Sequence, residues 1–421
     1  MTGPLARPRL PRVGLPRVGL PGAPSRPGIT CPYCFAAVPP QRVLFRCRGQ
    51  AGRTRGCAPV LDERLAAYTG STAGASLPPV FAAPGRGGRA DCPDCGRPTG
   101  NRACPECHNP LPAAYCDSPG RIVALVGAKN AGKSTYIAVL LHELMNRVGT
   151  ELDASLVACD DRTIERYKRD FARPLLEERR LLPTTASAAT GPREPLVYLL
   201  TRTRRGRFSR ARNESLALVL FDTAGEDLRS REATDLHLRY LEAADAVIFL
   251  VDPLELPGAR TGLADVPVPR GAGEDPGSEP LNVIARVTET LRQRHGARPG
   301  EPLPVPVAVA LTKIDVLRPA PLRQSALHRT RAGSGVLDLD DREAVDAQVR
   351  ALLHDWGAGQ LDTYLGQQYA EHALFGLSAL GGVPEAGRVG AGGVRPHRAE
   401  DPLLWLLHRF GMLDGARPGG A

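Results

Sequence analysis

Residues 127–134 read GAKNAGKS, which is the spacing G-x-x-x-x-G-K-S. Gly127 and Gly132 let the backbone turn tightly and gather several N–H groups around one point, a concavity that holds a β-phosphate. Lys133 is placed to reach the β- and γ-phosphates as a point charge, and the Ser134 hydroxyl to ligate Mg²⁺. Eight of the ten cysteines offer a second chemistry. Cys31 and Cys34 form a C-x₂-C pair, and Cys47 with Cys57 would close a tetrahedron around one ion. Cys92 and Cys95 with Cys104 and Cys107 form a tighter second group, similar to a short bacterial zinc ribbon. Four thiolates are the donor set of structural Zn²⁺ and leave no open position for catalysis. The metal then supplies the folding energy of a segment that has no core of its own. Redox-active C-x-x-C pairs would need a βαβ setting that is not visible here. His108 reads as a bystander, Cys116 as an alternative ligand and Cys159 as a free thiol.

The elements that position the phosphate loop are legible around it. Residues 122–126, IVALV, are a short unbroken apolar run, as expected of a parallel strand buried on both faces. Ile137, Leu140, Leu141, Leu144 and Met145 follow at helical spacing, so a helix begins where the loop ends and points its dipole at an anion. Three further signals each follow an apolar run. Asp222-Thr-Ala-Gly225 follows LALVLF, where the carboxylate can hold Mg²⁺ through a water and the Gly225 amide can sense a γ-phosphate. Thr312-Lys313-Ile314-Asp315 follows VPVAVAL. An Asp there can accept both N–H bonds of a guanine edge, and the Lys313 stem can cover one face of the base. Ser378-Ala379 follows HALFGL and can offer a backbone N–H to the guanine O6. Singly each is a weak signal; their order and their strands carry the weight.

The rest of the chain arranges itself around these. Residues 1–28 are a Pro/Arg-rich tail expected to be disordered, 29–62 a first zinc ribbon, 63–90 a linker, 91–114 a second ribbon, and 120–413 the nucleotide domain. In that domain, residues 160–182 look helical, and 196–200 with 216–221 read as a hairpin around a basic turn. Residues 246–251, 305–311 and 373–377 are further strands. Residues 253–280 and 317–371 read as insertions, the second helical from 340, and a helix with Leu281, Ile284, Val287 and Leu291 on one face lies between them. Residues 381–396 read as a loose loop before a final amphipathic helix carrying Leu403, Leu406, Leu407 and Phe410. The fold class is α/β, a mostly parallel sheet with helices on both faces, preceded by small zinc modules.

Taken together, GAKNAGKS, DTAG, TKID and SA resemble the Ras-like GTPases of the translation-factor-related P-loop class, over residues 121–380. With the cysteine groups in front and the long excursion between 149 and 195, the architecture is similar to bacterial double-GTPase proteins. The resemblance implies GTP or GDP held by Gly127, Asn130, Ala131, Gly132, Lys133, Ser134 and Thr135, and Mg²⁺ by Ser134 and Asp222. It implies a γ-phosphate sensor at Gly225 and guanine specificity from Thr312, Lys313, Asp315, Ser378 and Ala379. Thr184 and Thr185 are candidates for the switch I threonine, with Thr185 preferred. It also implies a protein effector, a second GTPase among the candidates. Where the class has glutamine after DTAG, this chain has Glu226, whose carboxylate repels a γ-phosphate and cannot donate a hydrogen bond to water. Hydrolysis is therefore expected to be slow without a partner. Arg229 and Arg231 read as surface arginines, with a cis arginine finger as the sharper alternative.

Composition narrows the alternatives. The net charge of +9 raises nucleic acid as a partner, but the basic residues are scattered and aromatics are 5%, so no stacking platform is visible. A nucleotide-regulated zinc-ribbon binder of nucleic acid is the lowest-ranked alternative, below a scaffold that holds GTP or GDP without turnover. Only Lys129, Lys133, Lys168 and Lys313 are lysines, and three of the four lie in the nucleotide motifs. No apolar run has the length of a membrane span, and no apolar h-region follows the basic N-terminus, so the cytoplasm is the expected compartment.

Overall fold

The computed structural model describes residues 28–50, 56–83, 88–183, 194–204, 212–221, 235–262, 279–317, 325–331, 333, 335–385, 387–390 and 392–417. Seven strands build one sheet: β1 (Gly120–Gly127), β2 (Ala154–Ala158), β3 (Leu196–Arg204), β4 (Arg212–Phe221), β5 (Ala246–Val251), β6 (Val307–Leu311) and β7 (His372–Gly376). Their order is β2-β3-β4-β1-β5-β6-β7. β4, β1, β5, β6 and β7 run parallel, β3 pairs antiparallel with β4 from Leu196↔Leu220 to Arg204↔Arg212, and β2 pairs antiparallel with β3. The expected hairpin is therefore present, and β2, which the sequence pattern did not announce, extends the sheet beyond it.

β1 shows why the central run is apolar without alternation. Ile122, Ala124 and Val126 enter one core and Val123 and Leu125 the other, so both faces of the strand are covered. On the first face lie α2 (Asp235–Ala243), α3 (Pro280–His295), α4 (Leu339–Asp355) and α5 (Gly359–Gln368). On the second lie α1 (Lys133–Met145) and α6 (Asp401–Arg409). A wide π-helical segment, Tyr167–Glu177, packs Tyr167, Phe171 and Leu175 there as well, with Pro174 inside it. The region from 317 to 371, read as an insertion, is helical from 339 and its described residues supply part of the fold itself. β6 and β7 are parallel neighbours, and α4 and α5 form the crossover that such a pair requires, burying Val345, Val349, Leu353 and Leu365. Likewise, 381–396 is not a loose loop: Arg395 N donates to Leu380 O at 2.9 Å, and Leu181 N donates to Gly387 O at 3.0 Å.

The N-terminal cysteine region departs most from its sequence reading. A four-stranded antiparallel sheet has the order Pro110–Leu111, Arg102–Ala103, Leu44–Arg46, Val80–Phe81. A strand of the expected first ribbon thus lies between one from the expected second ribbon and one from the expected linker. The linker also holds a helix, Glu63–Thr69, capped by Asp62. The described residues of 29–62, 63–90 and 91–114 form one interlaced module instead of two ribbons on a tether.

Candidate functional site

The phosphate loop sits where β1 ends. Gly127 has no room for a side chain, because a Cβ would meet Leu250 O at 2.7 Å. Asn130 and Gly132 adopt left-handed backbone, at φ 66° and 88°. Lys133 is buried, and its Nζ donates to Gly127 O and Ala128 O, both at 2.8 Å, so the ammonium is held over the loop. α1 begins at Lys133 with no side-chain cap, leaving its N-terminus to the loop. Ala131 is fully buried, while Asn130 is exposed.

The residues expected to read a base converge on the same end of the sheet. Thr312 N donates to Val251 O at 2.8 Å, which seats the turn after β6 against β5. Lys313 has φ 53°, a left-handed conformation that costs a non-glycine residue on the order of 1 kcal/mol or more and persists only where its surroundings enforce it. Its Nζ donates to Asn130 O at 3.1 Å and to Asp252 Oδ2. Two left-handed non-glycine residues, one in each loop, are thus bonded to each other. Asp315 accepts from Ser378 Oγ, which in turn accepts from Gly381 N at 2.9 Å. Ser378 and His397 exchange both backbone hydrogen bonds, so the strip around 397 clamps the turn. Gly381, at φ 80°, is required there, since a Cβ would lie 1.9 Å from Arg395 O.

Asp252 was missed from the sequence. It is buried and caps a short turn, Pro253–Glu255, by accepting from Leu254 N at 3.0 Å. The available signal was its place, an Asp at the end of the apolar run VIFLV, the same pattern that singled out Asp222. Glu255 beside it has a buried Oε2 with no hydrogen-bond partner among the described residues. Burial first, and then the Asp252 charge, push the Glu255 carboxyl up to about 8, against the pull of Lys313, Lys133 and Arg260. The folded protein therefore binds a proton that the unfolded chain releases near pH 4.5. Stability is lost as pH rises from there through the folded value. Glu255→Gln should raise the melting temperature relative to wild type at pH 8.5 and leave it unchanged at pH 4.5. A gain of equal size at both pH values would contradict the burial argument.

The structure brings all eight predicted metal-ligating cysteines into two clusters, but with exchanged partners. Cys31 and Cys34 meet Cys104 and Cys107, while Cys47 and Cys57 meet Cys92 and Cys95. The closest Sγ–Sγ pairs are Cys31–Cys107 and Cys34–Cys104 at 3.8 Å, and Cys47–Cys95 and Cys57–Cys92 at 3.6 Å. A tetrahedral ion with Zn–S near 2.3 Å has S–S edges of about 3.8 Å, so both clusters fit. The three C-x₂-C knuckles are built alike. Phe35, Gly96 and His108 follow the second cysteine in left-handed conformation, and each N–H donates to the carbonyl of the first cysteine. Gly49 N, Glu106 N and Asn109 Nδ2 donate to the sulfurs of Cys47, Cys104 and Cys107 at 3.3–3.4 Å, the donors a thiolate needs. His108 turns away and meets Asp62 through Nδ1 at 2.8 Å. Cys116 and Cys159 belong to neither cluster. Thr184, Thr185, Asp222, Gly225, Glu226, Arg229 and Arg231 lie outside the described residues.

A glycine-bounded loop at the end of a central parallel strand, a buried lysine over it and an Asp–Ser pair beside it define a P-loop nucleotide-binding domain of GTPase type. Comparison with known proteins sharpens this: the chain belongs to the family described as Double-GTPase 2, whose profile it matches over residues 121–359. It is 31% identical over 415 residues to SaeC of Mycolicibacterium smegmatis, a protein named for ESX-1 scaffolding and assembly, covering 91% of this chain and 99% of that one. Among solved structures, the small GTPase Arl6 of Trypanosoma brucei with a bound nucleotide analogue is 16% identical. That match covers 69% of this chain and 98% of its own, with a TM-score of 0.27. The G domain of the T. maritima FeoB iron transporter is 12% identical, covering 62% and 90%, with a TM-score of 0.23. The fold is defined by the strand order and loop geometry above, not by these overlays.

Proposed function

We propose that this protein is a GTP-binding and GTP-hydrolysing switch that uses Mg²⁺, carries two structural Zn²⁺ ions and docks a protein partner through its cysteine module. The observation that carries the reading is the bonded line Asp252–Lys313–Asn130, which ties the base-reading turn to the phosphate loop, with Asp315 held by Ser378 alongside. Gly127, Asn130, Ala131, Gly132, Lys133, Ser134 and Thr135 would cradle the phosphates. Thr312, Lys313, Asp315, Ser378 and Ala379 would read the guanine. Ser134 and Asp222 would hold Mg²⁺, which supplies positive charge to the phosphates. Thr185, Gly225 and Glu226 complete the proposed catalytic set, with turnover slow in the absence of a partner. Among the described residues no helix is long and apolar enough to cross a membrane, and we assign the protein to the cytoplasm.

The test is a titration with fluorescent GDP and its adenine counterpart, Mg²⁺ present, wild type beside Asp315→Asn. Guanine affinity should fall at least 100-fold on the substitution, since a charged acceptor that bonds two N–H groups is exchanged for a neutral side chain. Equal affinity for adenine in the wild type would sink the guanine assignment. A second reading, a scaffold that holds nucleotide without turnover, is favoured by Glu226 and by the scaffolding role in the name of the Mycolicibacterium relative. Multiple-turnover phosphate release above that of a Lys133→Ala control would exclude it.

A further inference from the structure

We propose that the Cys31/Cys34/Cys104/Cys107 metal site sets the geometry of the nucleotide site, with Tyr33, Phe35 and Asn109 as positioning residues, so that zinc occupancy and nucleotide affinity are linked. The proposal rests on the nucleotide reading above.

Three side chains in or beside this site reach into the sheet domain. Phe35 packs edge-on against Phe221, with ring centroids 5.7 Å apart, and lies 5.4 Å from Tyr240 of α2. Phe221 immediately precedes Asp222 in the sequence and pairs with Ala124 in the β1–β4 ladder. At that point the Tyr240 hydroxyl donates to Val123 O at 2.8 Å and accepts from Leu125 N at 3.1 Å, on the strand that runs into Gly127. Phe35 therefore bears on the side chain that joins β1 to the root of the proposed Mg²⁺ ligand.

The second contact is Tyr33, between the two cysteines of the knuckle. Its hydroxyl donates to Asp160 Oδ2 at 2.7 Å, while Asp160 Oδ1 caps the helix Asp161–Arg166 through Thr163 N. The Arg162 guanidinium lies 4.9 Å from the centre of the Tyr33 ring. The third is Asn109, fully buried, which donates to Cys107 Sγ at 3.3 Å and accepts from Arg162 Nη1 at 3.4 Å. Arg162 also pairs with Glu194, two residues ahead of β3, at 3.0 Å. A polar line thus runs from a sulfur of the cysteine cluster to the start of β3.

An ordinary domain contact would not need these positions. Here each residue lies between ligands or within two of one, and Phe35 holds φ 58° because the knuckle turn demands it. The knuckle's own strands, Ile29–Thr30 and Ala37–Val38, have two residues each and cannot fix it without the ion. A metal that orders Tyr33, Phe35 and Asn109 orders what they touch, and linkage makes the effect reciprocal.

The experiment uses the full-length chain. GDP affinity is measured with zinc loaded and with zinc withdrawn by a chelator, and zinc affinity is measured by chelator competition with and without GDP. Zinc withdrawal should weaken GDP binding at least 5-fold, and GDP should tighten zinc by the same factor, within the usual range of coupling. Phe35→Leu and Asn109→Ala should keep two zinc ions per chain and still weaken GDP binding 5-fold or more. Tyr33→Phe, which keeps the ring and loses only the hydrogen bond, should give a smaller loss. Two-zinc variants that bind GDP as wild type does, with no shift in the zinc competition, would overturn the proposal and leave the nucleotide reading intact. A zinc-loaded wild type that binds no GDP would overturn both.

Discussion

A chain carrying Cys34→Ser together with Cys104→Ser is expected to bind one zinc ion. Both residues belong to the same cluster, with sulfurs 3.8 Å apart, and the cluster of Cys47, Cys57, Cys92 and Cys95 keeps its four ligands. If each ion were instead held by cysteines adjacent in sequence, the same double change would damage both sites and no zinc would remain. Cys34→Ser with Cys47→Ser gives the reverse pattern, removing both ions from the interlaced arrangement and only one from the sequential one. The effect on folding is large. A structural zinc contributes about 10–16 kcal/mol in small zinc-dependent folds, whereas a whole domain is stable by about 5–15 kcal/mol. Losing one ion should expose residues 28–119 to protease while the sheet domain stays resistant. Metal analysis and limited proteolysis of the two double variants decide between the arrangements.

The second large effect is expected from Lys133→Ala. The ammonium is buried, is held by Gly127 O and Ala128 O, and is placed over the concavity of the loop. Removing it withdraws the cation proposed to reach both phosphates and leaves two carbonyls without their donor. Hydrogen bonds to charged groups contribute about 1.5–3 kcal/mol each, so losing one to each of two phosphates would amount to a 100-fold or greater loss of GDP affinity. Without nucleotide, the melting temperature should shift little compared with a core substitution such as Leu140→Ala, for which about 2–5 kcal/mol is typical. An affinity within 3-fold of wild type would show that Lys133 does not reach the phosphates.

Much of this site could be read from the chain because local rules govern it. The phosphate loop needs its glycines and lysine at fixed offsets, and a strand buried on both faces needs an unbroken apolar run, so residues 122–134 declare themselves. Asp315 and Ser378 are 63 positions apart, yet each follows its own apolar strand, and parallel neighbours β6 and β7 bring their ends together. Asp252 was hidden because one carboxylate after a strand has many uses until Lys313 is seen beside it. The pairing of cysteines was hidden for a different reason. A C-x₂-C spacing fixes which two sulfurs share a knuckle, but any knuckle can close with any other. The choice is made by Leu44–Arg46 inserting between Arg102–Ala103 and Val80–Phe81, short strands whose register no local pattern encodes. The crossover helices α4 and α5 looked like an insertion because their exposed faces are highly polar, and only the parallel pairing they serve shows them to be indispensable.

The interlaced cysteines also impose a timetable on the chain as it leaves the ribosome. One cluster joins cysteines up to 48 positions apart and is complete once Cys95 has emerged, while the other spans 76 positions and must wait for Cys107. Until Cys92 emerges, Cys31, Cys34, Cys47 and Cys57 are the four cluster thiols available, and a zinc ion supplied early meets that premature set first. Closing the longer loops costs little extra chain entropy, since that cost grows only with the logarithm of length. The native partners can therefore prevail, but only after the misplaced ion is given up. For this protein, the moment at which metal is delivered to the nascent chain bears on the yield of the native fold.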